Sequence, residues 1–317
     1  MSQGERLEKM NKGRFWGSRI SAFIILMISN VFWGLSSVLT KLALQAAEPE
    51  YVLLFRFAVA FFTLNIIAVI RKEKVRLKGK PLGILLLLVM CDPFYYIINS
   101  YGIHYSNATL AGAVFSVTPI ISMLLAILFL REYPSPKKIL YSFMPVAGVW
   151  LVTINGSRLG TIRMLGLILL LFSCLFSSSY RVFNKKASLN YSAFERTYYV
   201  IGTCFVFYLI SALFKAKGDM RQIYTPLTNP AFCIPTFAMG ILGSSIGALG
   251  TNYAAGIISV LEIASMSTII TVFSLFSGII FLKEPINLEI LLGCLLIIIG
   301  IRLVVKSDKS EQETQQR

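Results

Sequence analysis

The chain has 317 residues, 56% of them apolar and only 14% charged, with a formal net charge of +15 and a mean hydropathy of +0.72. Soluble domains lie near about 45–50% apolar and about 25% charged. A soluble globule of this composition would therefore expose patches that aggregate, and a disordered chain needs the opposite balance. The solvent that suits the chain is lipid. Its excess of cations falls in short loops between apolar runs, where it reads as an orientation signal and not as a nucleic-acid surface.

A helix that crosses a membrane takes about 20 apolar residues. In chain order ten segments meet that need: 20–41, 51–70, 82–101, 107–130, 137–155, 162–183, 193–214, 232–252, 257–282 and 287–305. Ten spans consume roughly 200 residues and leave no room for a large domain outside the membrane. A β-barrel needs alternating polarity, and the unbroken runs Gly83–Met90 and Ile290–Ile299 exclude it. Residues 1–19 form a basic tail and 306–317 a second tail. The first apolar run is long enough to stay as a span, so no cleaved signal peptide is expected. With Arg181 counted in the loop after segment six, Lys and Arg number 21 on the side of the two tails and 6 on the other. That bias puts both termini in the cytoplasm of a multi-pass protein of the cytoplasmic membrane. The run Arg71–Lys80 then faces the anionic headgroups of that surface. The five cysteines (91, 174, 204, 233 and 294) contain no CxxC pair, so neither a zinc site nor a disulfide framework is expected and they read as packing residues.

The chain repeats itself. An offset of 152 lays Leu130-Arg131-Glu132 on Leu282-Lys283-Glu284, Gly148 on Gly300 and Tyr101 on Tyr253, and an offset of 143 aligns segment one with segment six. Five spans per repeat is an odd number, so the halves 20–155 and 162–305 stand in opposite orientations. Inverted repeats of this kind hold substrate near the midplane and alternate access by moving one part against another.

Several motifs make the likeness specific. They are Trp33-Gly34 through Lys41-Leu42-Ala43-Leu44, Phe55-Arg56-Phe57, Pro119 followed by Leu130-Arg131-Glu132, and Phe281-Leu282-Lys283-Glu284. In order and spacing they resemble the EamA branch of the drug/metabolite transporter superfamily, over about residues 20–305. The resemblance implies an all-α integral membrane protein of ten transmembrane helices in two inverted five-helix repeats. It also implies a central cavity and transport of a small metabolite, often export. The second half departs from the pattern: Thr271 stands opposite Pro119, and Phe176-Ser177 opposite Trp33-Gly34.

Polar groups in lipid are costly and are expected to point inward. At helical spacing Asn30, Gly34, Ser37 and Lys41 share a face of segment one, and the offset of 143 carries them to Ser173, Ser177, Tyr180 and Asn184. Asp92, Tyr96 and Asn99 share a face of segment three beside Tyr95; the offset of 152 gives Ser244, Ala248 and Thr251. Gly240, Gly243, Gly247 and Gly250 make segment eight small-faced, which suits close packing. Asp92, followed by the helix-kinking Pro93, is the sharpest residue. Its roles are proton carrier, ligand for a cationic substrate group, or partner of Arg56 or Lys41. Glu262 is a second acid, either paired with Arg196 or serving a substrate amine or a proton. Arg56 holds a substrate carboxylate or a structural acid. Tyr95, Tyr96, Tyr180 and Trp33 line the pocket, where aromatic rings beside an acid suit an ammonium group. Tyr51, Tyr101, Tyr105, Tyr253 and Trp16 sit at span ends as interface anchors. Glu132 and Glu284 read as capping or gate-closing groups.

No enzyme is expected. The one histidine, His104, stands at the end of segment three, and no HExxH motif is present. Neither a metal nor a cofactor is expected, and a GxxxxGK[ST] motif is absent, so a gradient supplies the energy. The leading expectation is export of an amino acid or related compound. Its rival is a proton-coupled exporter of hydrophobic organic cations, using Asp92 or Glu262. Nucleotide sugars would require several deep cations for their phosphates, and Arg56 is the clear one. A non-transporting scaffold or sensor is the reading from another class. Gly148 and Gly300 suit packing inside the chain or in a homodimer.

Overall fold

The computed structural model describes residues 17–105, 114–115, 117–155, 164–270, 272–273 and 288–315. Among them every regular element is a helix: α1 (Arg19–Leu44), α2 (Pro49–Arg71), α3 (Leu82–His104), α4 (Thr118–Leu130), α5 (Pro136–Asn155), α6 (Met164–Ala187), α7 (Ala193–Ala216), α8 (Pro230–Ala255), α9 (Val260–Ser267) and α10 (Leu288–Gln315). A helical turn, Arg221–Tyr224, and a 3₁₀ turn, Thr225–Thr228, lead into α8. Six helices, α1, α2, α3, α6, α7 and α8, are long and apolar enough to cross a membrane. Parts of the expected segments four and nine lie outside the described residues, as do Trp16, Thr271, Lys283 and Glu284 and the side chains of Ser37, Lys41 and His104.

Local chemistry sets the helix ends. Ser192 and Ser259 open α7 and α9 with capping boxes, in which the serine hydroxyl accepts the N–H of Glu195 or Glu262 and that glutamate accepts the serine N–H. Lys72, Arg131 and Lys217 close α2, α4 and α7 in the left-handed region, with φ of 53°, 55° and 48°. Each brings a cation to the negative end of its helix. α3 runs on through Pro93, whose carbonyl accepts the Tyr208 hydroxyl at 2.7 Å. α10 continues to Gln315, so residues expected to form a tail are helical. The stretch Lys306–Gln315 has no Gly or Pro to stop it and is rich in good helix formers.

The exposed surface is apolar. Ile20, Ile24 and Ile28 stripe α1, and Phe62, Ile66, Val69 and Ile70 stripe α2, with similar rows on the other helices. This inverts the soluble pattern and matches a lipid-facing belt. Inside, α3 lies along α6 and α1 along α8, α2 meets both α7 and α8, α3 meets α7, α4 meets α9, and α5 meets α10. Exchanging the numbers 1–5 with 6–10 maps this set of pairings onto itself.

The α5–α10 pair shows the exchange in atoms. A Cβ on Gly148 would stand 2.6 Å from the Gly293 carbonyl oxygen and 2.9 Å from Ile297, and one on Gly300 would meet Pro145 and Met144. The contact 148–297 becomes 300–145 when each residue is moved by 152. These glycines therefore serve packing within the chain, at a seam where only a hydrogen fits. Gly148→Val is expected to lower stability by about 1–3 kcal/mol through overpacking. Gly83→Val, at a site with nothing within 4 Å, serves as the control; melting temperatures in detergent check both.

Candidate functional site

α2 carries Arg56 seven residues past its first proline, about 10 Å into the helix, where its side chain is buried. Its Nε donates to Ser244 Oγ at 2.7 Å, and its Nη1 lies 3.9 Å from the Met239 sulfur. The guanidinium stands over three rings, with centroids at 5.0 Å for Tyr96, 5.6 Å for Trp33 and 5.8 Å for Phe57. Such stacking suits the weakly hydrated, planar guanidinium.

Ser244 can reach Arg56 because of the local form of α8. The stretch Met239–Gly247 is a π-helical turn between two α-helical stretches, and Ser245 Oγ bonds the Gly240 carbonyl inside it at 2.9 Å. Glycine permits the approach. A Cβ on Gly240 would lie 2.7 Å from the Arg56 carbonyl oxygen, and one on Gly250 would run into Ser29 and Ile25. The small face of α8 thus packs on the backbones of α1 and α2, and π turns of this sort often mark functional positions.

Asp92 on α3 is half-buried and stands in the fields of two cations, Arg56 and Arg181. Among the described residues no hydrogen bond or ion pair takes up its carboxylate. Tyr95 packs edge-on against Tyr96 at 4.7 Å, and the Asn99 amide oxygen is buried without a partner among the described residues. Arg181 is a residue that the sequence reading does not place at the site. It falls within segment six yet counts there as a cation of the following loop; α6 runs on to Ala187, and Arg181 Nη1 donates to Ser177 Oγ at 3.0 Å while the guanidinium shares an electrostatic environment with Tyr95, Tyr180 and Asp92. Its signal was helical spacing: Arg181 falls one turn after Ser177 on the polar face of the segment.

Other expected site residues have different work. Asn30 donates to the Met266 carbonyl at 3.0 Å and ties α1 to α9. Thr251 bonds the Gly247 carbonyl of its own helix at 2.9 Å. Tyr180 and Asn184 both donate to the Asn252 amide oxygen, at 3.0 and 2.8 Å, and Asn252 in turn donates to Thr197 at 2.7 Å. The expected Glu262–Arg196 pair does not form. Arg196 instead bonds the backbone carbonyls of Asn184 and Asn252, at 3.0 and 2.6 Å, and the Asn184 amide oxygen. Those carbonyls belong to the last turns of α6 and α8, at the negative end of each helix dipole; the Asn184 carbonyl also accepts the Ser188 N–H at 3.0 Å. Glu262, fully buried, accepts from Ser259 N–H at 2.8 Å and pairs with Arg19 at 2.5 Å. Its position in the capping box turns it back onto its own helix start and away from Arg196.

Glu262 belongs to a set of ties at the end of the bundle that holds the start of α1. Lys80 pairs with Glu195 at 2.6 Å, and the Tyr191 hydroxyl donates to the Pro81 carbonyl at 3.2 Å. Val260 N–H donates to Glu132 at 3.4 Å, and Gly17 N–H to the Tyr253 hydroxyl at 2.6 Å. Each joins residues before 155 to residues after 164. At the opposite end the Tyr101 hydroxyl donates to Glu50, and Tyr51 donates to Gln222 at 3.1 Å.

The pattern of the EamA-like transporter family matches residues 20–154 and again 164–306. An uncharacterized transporter of Bacillus subtilis, YcxC, is 26% identical over 284 residues, covering 88% of this chain and 91% of its own. An uncharacterized transporter of Archaeoglobus fulgidus is 25% identical over 287 residues, with 90% and 98% covered. The fold is similar to that of a solved crystal structure, at a TM-score of 0.75 and 17% identity, with 90% of this chain and 96% of the other covered. The chain belongs to the EamA-like transporter family, and is a multi-pass membrane transporter, not an enzyme.

Proposed function

We propose that the chain is a secondary transporter that exports an amino acid or related small metabolite across the cytoplasmic membrane, with both termini cytoplasmic. In this reading residues 20–155 and 162–305 are two inverted five-helix repeats that hold substrate between them and expose it to each side in turn. The self-mapping set of helix pairings and the reciprocal 148–297 and 300–145 contacts support the repeats. The observation that carries the function is the buried polar centre that draws on both halves: Arg56 and Asp92 from the first, Ser244 and Arg181 from the second. Trp33, Tyr95 and Tyr96 border it, with Tyr180 beside Arg181; Ser37 and Asn99 are assigned to it by their spacing. Charged groups inside a membrane bundle mark substrate or proton routes. Two guanidiniums whose fields reach one carboxylate weigh against a hydrophobic organic cation as cargo. Asp92, whose carboxylate has no hydrogen bond or ion pair among the described residues, is the group we assign to proton coupling; Glu262 is held by Arg19 and Ser259.

The ties at the α1 start form the closed gate of the conformation described, on the cytoplasmic side in this reading. Reconstituted in liposomes, the protein is expected to show saturable uptake of labelled amino acids that responds to a pH gradient, and Asp92→Asn is expected to remove the response while leaving exchange. Absence of solute flux, or a conductance of channel size, would overturn the reading. Arg19→Gln is expected to raise hydrogen exchange of the amides at 252–262 several-fold, in line with the roughly 1 kcal/mol that a partly exposed ion pair contributes. Exchange equal to the parent's would show that the pair does not hold this end shut.

A further inference from the structure

Two polar atoms from different helices look into one gap at the centre of the bundle. Arg56 and Ser36 are each 4% exposed, and Arg56 Nη2 and Ser36 Oγ have no hydrogen-bond partner among the described residues. Both face Gly243 on the π turn of α8. A methyl group on Gly243 would stand 3.4 Å from Ser36 Oγ and 3.7 Å from Arg56 Nη2. The gap is therefore about the size of one heavy atom, and it is lined by a charged donor, a hydroxyl and bare glycine backbone. A buried donor left unmade destabilises a fold, more so when it carries charge. The rest of the Arg56 fork is engaged, by Ser244 at Nε and by the Met239 sulfur near Nη1, so Nη2 is the nitrogen left for a ligand.

Charge narrows the ligand further. Arg56, Arg181 and Asp92 leave one positive charge in excess, which a carboxylate offsets and an ammonium ion alone increases. Guanidinium and carboxylate form strong charge-assisted hydrogen bonds. We propose that the transported substrate carries a carboxylate, and that one carboxylate oxygen sits over Gly243, accepting from Arg56 Nη2 and Ser36 Oγ. The body of the substrate extends toward Trp33, whose indole nitrogen borders the next small residue on that face, 3.4 Å from where a methyl on Gly247 would lie. An amino acid would place its ammonium toward Asp92; a simple organic acid would leave Asp92 to its two arginines. This inference rests on the transporter reading and assigns the chemical class of its cargo.

The test uses matched probes on the purified full-length protein in detergent. One set is 4-methylpentanoate, L-leucine and isopentylamine; the other is 3-phenylpropionate, L-phenylalanine and 2-phenylethylamine. Within each set the apolar body is held nearly constant while the head group passes from anion to zwitterion to cation. At millimolar concentration the acids or the amino acids are expected to raise the melting temperature and the amines are not; which of the two dominates tells an anionic from a zwitterionic cargo. Gly243→Ala places its methyl at ordinary contact distances, so it is expected to fold at least as well as the parent. It is also expected to bind the active probe about tenfold or more weakly, the factor that one charge-assisted hydrogen bond supplies. Stabilisation by the amines alone, silence from all six probes, or an unchanged response in Gly243→Ala would each overturn the assignment. Flux of amines in liposomes without a carboxylate response would remove the carboxylate niche and keep the carrier. Carboxylate binding without flux of any solute would do the reverse.

Discussion

A charge carried into lipid has no water to answer it, and this constraint organises the bundle. The chain meets it in more than one way. Arg196 bonds carbonyls in the last turns of α6 and α8, so helix termini supply the counter-charge. Glu195 and Glu262 are each enclosed by their own helix starts and by a cation from the other half, Lys80 and Arg19. Arg56 is answered in part, by a serine and three rings, and Asp92 by the fields of two arginines. The first groups hold the bundle together; the incompletely answered pair lies where cargo would complete it.

Glycine lets these arrangements coexist. Along α8 it removes the side chains that would separate three helix backbones, and it accommodates the π turn that aims Ser244 at Arg56. The same residue type serves two purposes along one helix. Gly240 and Gly250 are closed against neighbouring atoms, while Gly243 leaves a gap. Small residues on a membrane helix thus mark contact in one place and vacancy in another, and the neighbours decide which.

The fold was legible because a lipid-facing helix must be apolar for its whole length. The apolar runs followed from that, the basic loops from the charge bias of membrane proteins, and the offset of 152 from matched Leu-Arg/Lys-Glu, Gly and Tyr landmarks. The centre was partly legible. Asp92, Arg56, Tyr96 and Ser244 were found by depth and spacing, since a polar residue in mid-span has few places to point. Arg181 lies inside segment six as bounded at 183, but near the end of a span a cation reads as an orientation signal and not as part of the interior. Glu262 was read by depth when its local sequence held the answer: Ser259-Val260-Leu261-Glu262 is a capping box, and so is Ser192-Ala193-Phe194-Glu195. Ser36 lies off the face that carries Asn30 and Ser37. Only the packing of α8 against α1 brings it beside Arg56, and spacing within one helix cannot reveal a partner on another.

The seam between α5 and α10 has one more consequence. Residue 148 meets 297 while 300 meets 145, so the same patch appears on both sides of the contact, as in an isologous dimer interface. One polypeptide thus contains the kind of surface by which two copies of a half-length chain would recognise each other. Because that surface is consumed within the molecule, it is not open to a second copy, and the outward rows of leucine, isoleucine and phenylalanine are left to lipid.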